Sequence, residues 1–436
     1  MQKKAIILVC VLFLAIVGLG VGMSTPVQAP ATKQLTGTVK VGFMYPITGG
    51  LAPIAEGLID GANAGVYRVN QLYDFDIELV VEDSGSEAQV GTIAAGNLVA
   101  ANVEVVIGAA ASGASLAAAA VLVPEEIPQI SYASTSPALT IYNDSDFLFR
   151  TVASDVFQGQ ALAELAQDKG ITAPITINRD DAYGNGVVEE FAKRFKELTG
   201  SDPVDSIVYD PDATSFSAQI GEIKASSADG IVIVAFPTDA IAIFNEAQTQ
   251  NVDLKWLGTD GIASTSVTNE TAIKDYLTGK LYGTTPASGT NPGSGSLWNQ
   301  FESDLSASGG QPGIFGDYVY DAVLIVGAAL DDAGVYEGLA IRNSIYKVAN
   351  GLAGATGANK AFNCAGDPIA QAYDYWNATD GAVMTEEARA VNFPSIGTAV
   401  TEPCITATTT PGFEFWVILG MLGTIGLLVI RKRKQK

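Results

Sequence analysis

The 436-residue chain has no histidine and three cysteines, and its 24 lysines and arginines face 47 aspartates and glutamates. Without histidine there is no Ser-His-Asp triad, and a zinc site loses its commonest nitrogen ligand. No cysteine has an imidazole to activate it. "GATGANK" at 354–360 lacks the GK[ST] ending of a phosphate loop. A carboxylate pair is the remaining route to acid–base chemistry, so the sequence reads as a non-enzyme that uses no cofactor and no metal. Positive charge is scarcer still in the body of the chain. Seven basic residues (Lys3, Lys4, Arg431, Lys432, Arg433, Lys434, Lys436) lie at the ends, leaving 17 against 46 acidic residues between Thr32 and Phe413, a net charge of −29. Such a surface repels nucleic acid and favours a soluble monomer.

Long hydrophobic runs occur at the two ends. "MQKK" followed by "AIILVCVLFLAIVGLGVG" is a basic n-region and an apolar h-region, and "AxA" at Ala29 to Ala31 offers a cleavage site, so residues 1–31 read as a signal peptide. Cys10 lies inside the h-region with no lipobox before it. At the other end a Thr-rich linker (401–412) precedes an apolar transmembrane or sorting segment (413–430) and a basic tail (431–436) that would stay cytoplasmic. The expected location is the extracellular face of the cell membrane, with the chain anchored at its C-terminus. "PGF" at Pro411 to Phe413 resembles the tripartite C-terminal sorting signal of archaeal surface proteins; a plain single-span anchor is the alternative.

Outside the signal segment only Cys364 and Cys404 remain, and in an oxidising exterior an isolated pair reads as one disulfide. The sequons at Asn143, Asn269 and Asn377 are candidate glycosylation sites.

From Thr38 onward, short β-branched runs alternate with helical patterns. "TVKVGFMY", "DIELVVED", "VEVVIG" and "IPQISYA" read as strands of a first series, with helices between them near 55–69, 87–101 and 114–124. "APITINRDD", "DSIVYD", "GIVIVAF" and "LKWLGTD" form a second series, with helices at 186–199, 215–226 and 238–250. Two βαβ series imply an α/β protein with two doubly wound parallel sheets. After "KLYGTTPA", helical patterns at 313–330 and 335–349 return to the first lobe. The expected lobes are 38–153 plus 285–355, and 154–284 plus 356–400. Ligands of such sheets bind beyond the carboxyl ends of the strands. One of those ends is "VIGAAASGASLAAAA" at 106–120, where small residues let a ligand approach the backbone and a helix start aims free N–H groups at it. The same stretch reads equally well as tight helix-on-sheet packing.

"VGFMYPITGGLAPIAEGLIDGANAGVYRVN", "VVEDSGSEAQVGTIAAGNLV", "VVIGAAASGAS", "IPQISYASTSPALT", "FLFRT", "RDDAYGNG", "WLGTDG" and "YVYDAVLIVGAAL" occur in that order between residues 38 and 380. Together they resemble the leucine/isoleucine/valine-binding type of solute-binding protein, with the periplasmic binding protein type I fold. These are extracytoplasmic receptors of ABC importers. The resemblance implies two lobes joined by a three-strand hinge, permease and ATPase subunits as partners, and a branched-chain or other uncharged amino acid as ligand. Carried over by position, Ser112 holds the ligand carboxylate beside the N–H groups of Gly113 and Ala114. Ser134 and Thr135 match the hydroxyl-bearing loop that contacts both ends of the amino acid. Tyr183 matches the tyrosine brought down by the second lobe, and Asp260 the acidic partner of the α-ammonium. Phe236 and Ile54 fall near the aromatic pocket positions; Ile54 stands where the family has a ring, and Asp260 is shorter than the family's glutamate. Amide or urea-type solutes, and a surface sensory protein without a transporter, remain alternative readings. So do bland roles for single residues: Ser112 as a helix N-cap, Thr135 and Asp260 as turn formers, and Tyr183 as packing.

Overall fold

The computed structural model describes residues 35–288, 297–357, 359–369, 371–385, 391–393 and 398–404. The signal segment, the linker beyond Cys404, the "PGF" motif, the apolar run and the basic tail lie outside the described residues. Among the described residues, no helix is long and apolar enough to cross a membrane.

Strands β1 (Gly37–Tyr45), β2 (Phe75–Asp83), β3 (Val106–Ile107), β4 (Gln129–Ser131) and β5 (Leu148–Arg150) form a parallel sheet in the order β2-β1-β3-β4-β5. Strands β3 and β4 are buried throughout, as expected for a sheet covered on both faces. Helices α1 (Ala55–Leu72), α2 (Ala88–Ala100) and α3 (Ser112–Leu122) connect these strands.

The second sheet holds β6 (Pro174–Arg179), β7 (Asp205–Tyr209), β8 (Gly230–Val234), β9 (Lys255–Gly258) and β10 (Leu281–Pro286), all parallel. It differs from the expected purely parallel sheet. Strands β11 (Gln371–Thr379), β12 (Ala382–Thr385) and β13 (Val391–Phe393) add an antiparallel extension beside β10. Tyr373, Tyr375 and Trp376 of β11 are buried, which gives this strand its place in the core. Helix α4 (Asp155–Asp168), absent from the sequence reading, precedes β6 and packs against α5 (Ala182–Thr199). Helices α6 (Ser217–Ala225) and α7 (Pro237–Thr249) complete this lobe.

Helix α5 starts at Ala182, four residues earlier than its hydrophobic period suggests. The side chain of Asp181 caps it, accepting from the N–H groups of Tyr183 at 3.1 Å and Gly184 at 2.8 Å. Gly184 belongs to the first turn because a Cβ there would lie 2.1 Å from the Arg179 carbonyl oxygen.

After β10 the chain returns to the first lobe as α8 (Trp298–Ala307), α9 (Gly316–Ala333) and α10 (Gly338–Ala349). Helices α1 and α9 meet along a glycine ridge: a Cβ on Gly61 would lie 2.3 Å from the Gly316 oxygen, and one on Gly65 2.6 Å from Val323. The chain therefore passes between the sheets three times, after β5, after β10 and before β11.

Candidate functional site

In open parallel sheets the crevice lies where the strand order reverses. Here that is between β1 and β3 in one sheet and between β6 and β8 in the other. The loops after these four strands face one another around a narrow cleft. The first lobe contributes Leu51, Ile54, Ala110, Ala111, Ser112, Ala133 and Phe315 to the wall, and the second contributes Tyr183, Phe236, Asp260 and Gly261. Five expected site residues (Ile54, Ser112, Tyr183, Phe236 and Asp260) thus meet. Gly113, Ser134 and Thr135 do not line the cavity.

Ser112 opens α3, but it is not the cap: Ala111 holds that position, without a side-chain bond. The first intrahelical bond runs from the Ser115 N–H to the Ala111 oxygen, so the amides of Ser112, Gly113 and Ala114 form the free end of the helix. The Ser112 hydroxyl accepts from the Ser136 N–H at 3.3 Å.

The Ser134 hydroxyl is committed inside the first lobe. It lies 2.8 Å from the Ser115 hydroxyl, 3.2 Å from the Ala109 oxygen and 3.1 Å from the Ala110 oxygen. It shapes the loop, and its direct contact with a ligand, expected from the resemblance, is not what this geometry offers. The carbonyls of Ser134, Thr135 and Ser136 accept from Arg150 Nη1 at 3.2, 2.8 and 2.9 Å.

In the second lobe the Tyr183 phenol lies 2.7 Å from the Thr259 hydroxyl, donates to Asp260 Oδ1 at 2.7 Å, and accepts from the Gly261 N–H at 3.1 Å. Its ring stacks on Phe236 at 5.7 Å. The guanidinium of Arg179 lies 3.7 Å over the other ring, that of Phe236, and is paired with Asp181 and Asp239. That cation is neutralised and sits behind the aromatic wall.

Burial pushes the Asp260 carboxyl up to about 6, against the pull of hydrogen bonds from Tyr183 and Gln158. The neighbouring Asp155, first residue of α4, is raised well above its ordinary value by burial and by the charge of Asp260. The Thr135 hydroxyl adjoins the Asp155 carboxylate without ideal hydrogen-bond geometry, and no other side chain bonds to that carboxylate. Burying an ionised carboxylate is costly unless something positive answers it. Arg150 answers Asp155 only in part, being paired with Asp367, so the two buried carboxyls together favour an added cation.

Sequence reasoning missed Asp155, Leu51 and Phe315. Nothing local to "SDVF" shows that a helix starts there or that its first residue is buried. Phe315 adopts φ +62° just before α9. That left-handed conformation favours glycine, so a phenylalanine there gives no local sign of the bend.

The family model for periplasmic binding proteins matches residues 38–381. The chain belongs to that family. It is similar in structure to the branched-chain amino acid transporter substrate-binding protein LivJ of Streptococcus pneumoniae, solved in complex with isoleucine. The TM-score is 0.69 at 25% identity, covering 82% of this chain and 99% of that one. The match is to a substrate-binding protein, not an enzyme. An uncharacterised protein, MJ1266 of Methanocaldococcus jannaschii, is 25% identical over 301 residues, 65% of this chain and 70% of its own length. Metabotropic glutamate receptor 4 of Rattus norvegicus is 29% identical over 217 residues, 48% of this chain and 24% of the receptor.

Proposed function

We propose that the interlobe cleft binds a free α-amino acid with an uncharged, aliphatic side chain, and that the protein delivers it to an ABC importer. The observation that carries this reading is the Asp155 carboxylate, buried beside Asp260 and answered only in part by Arg150. An α-ammonium in the cleft answers Asp260 at the wall and the charge of Asp155 behind it. Ser112 and the free N–H groups at the start of α3 take the α-carboxylate. Leu51, Ile54, Phe236 and Phe315 enclose the side chain. Among the described residues no lysine or arginine lines the cavity, and Arg179 is already paired, which argues against an acidic side chain.

The isoleucine complex of LivJ supports the same ligand class. Export by the signal segment, anchoring through residues 413–430 and use of the sequons at Asn143, Asn269 and Asn377 belong to the same reading. Asn143 and Asn269 are exposed and Asn377 is half-buried.

A thermal-shift panel of L-amino acids, their amides, urea and carboxylic acids without an amino group tests the assignment. Stabilisation by leucine, isoleucine or valine is expected. A largest shift from an amide, from urea or from an acid lacking the amino group would overturn it.

A further inference from the structure

Arg150 ends β5 and is almost wholly buried. Besides the three carbonyls of residues 134–136, it pairs through Nε with Asp367 Oδ1 at 2.6 Å and donates through Nη2 to the Thr140 hydroxyl at 2.8 Å. That hydroxyl in turn donates to Asp367 Oδ2 at 2.9 Å. The arginine thus holds the carbonyls of the loop whose Ala133 lines the cavity and whose Ser136 N–H bonds to Ser112.

Asp367 is itself held by a closed turn. The Asn363 N–H donates to the Asp367 oxygen at 2.9 Å, and Asn363 Oδ1 accepts from the N–H groups of Ala365 and Asp367 at 2.8 and 3.1 Å. The turn lies against the edge strand: the Arg150 N–H donates to the Gly366 oxygen at 3.0 Å. Gly366 has φ +68°, and a Cβ there would lie 2.1 Å from the Leu148 oxygen, so only glycine lets the turn pack this close to the edge strand. At its exposed corner Cys364 is bonded to Cys404, and the tail adds one backbone bond, from the Val400 N–H to the Phe362 oxygen.

We propose that the disulfide-closed turn 363–367 positions the solute loop 133–136 through the Asp367–Arg150 pair, so that the covalent tie of the C-terminal segment sets solute affinity. Arg150 is a positioning residue in this scheme; it touches carbonyls and not the solute. The proposal rests on the reading of the cleft as the solute site.

The test uses the full chain with its disulfide intact, after mild reduction, and as the Cys364→Ser/Cys404→Ser variant. Hydrogen exchange is read over residues 133–138, with α7 as an internal control, and L-isoleucine affinity is read by calorimetry. Opening the disulfide is expected to speed exchange in 133–138 by about threefold or more, leave α7 unchanged, and weaken isoleucine binding by a similar factor. Arg150→Lys, which cannot reach three carbonyls at once, should give the same loop signature with the disulfide intact, and reduction should then add nothing further. If the double variant fails to fold, the reduced parent carries the test. Faster exchange confined to the turn, or spread equally over α7, overturns the proposal. A parent that binds no isoleucine counts against the amino-acid assignment, while the loop exchange still decides this one.

Discussion

The phenol of Tyr183, in the first turn of α5, donates to Asp260 Oδ1 at 2.7 Å, although Asp260 lies 77 positions away in the turn after β9. The bond fixes one carboxylate oxygen of Asp260, which Gln158 and the Gly261 N–H also hold, while its charge acts on Asp155. This arrangement gives a first prediction. Asp155→Asn and Asp260→Asn should each weaken binding of an aliphatic amino acid by about 1.5–3 kcal/mol, the range for a hydrogen bond to a charged group. Each should also raise the melting temperature of the ligand-free protein, because one buried negative charge is gone. Calorimetry with parallel melting curves checks both signs; equal affinity in both variants would remove the carboxylate pair from the site.

Binding should depend on pH in a defined direction. Asp260, raised from 3.8 to about 6, binds more protons folded than unfolded between those values. Ligand-free stability from this group is therefore fully present below pH 3.8 and is lost as pH rises through about 6. Asp155 is raised for the same reason and adds to the trend. An ammonium ligand prefers the ionised pair, so affinity should increase from pH 5 to 7 and level off once both carboxylates are charged. Calorimetry across that range should also show proton release on binding near pH 6. A flat profile would mean that these groups do not meet the ligand's charge.

Phe315 should set the upper limit on side-chain size. Phe315→Ala removes a wall of the cavity, so leucine binding should weaken by about 1–3 kcal/mol while phenylalanine or methionine binding improves relative to it. A competition series read by thermal shift checks the order; an unchanged ranking would place the side chain elsewhere.

Closure of the lobes is visible in two contacts. The Ser136 hydroxyl donates to the Ala182 oxygen at 2.6 Å, and the Thr238 hydroxyl donates to the Gly50 oxygen at 3.3 Å. A solute that touches both Ser112 and Asp260 should shift an open population toward this form. Small-angle scattering should show a smaller radius of gyration at saturating ligand. Ser136→Ala should weaken binding by about 0.5–1.5 kcal/mol, mainly through a faster off-rate. An identical scattering profile with and without ligand would argue for a rigid receptor.

The two βαβ series, the strand-end loops that bear the site, and the pairing of Cys364 with Cys404 were legible in the sequence. These are legible because they depend on periodicity and composition, which act over a few neighbouring residues. The antiparallel extension at β11 and the early start of α5 were less legible. One rests on pairing between residues 87 to 95 positions apart in sequence, the other on an aspartate cap within a glycine-rich stretch. Only the tertiary structure decided which hydroxyls are free and which carboxylates are buried. Ser134 and Thr135 are neighbours of similar chemistry, yet one is bonded to Ser115 and two carbonyls while the other adjoins the Asp155 carboxylate. Asp155 looks like any helix-start aspartate until the chain's passage between the lobes removes its water. Desolvation and mutual charge are properties of the assembled cleft, and no local pattern encodes them.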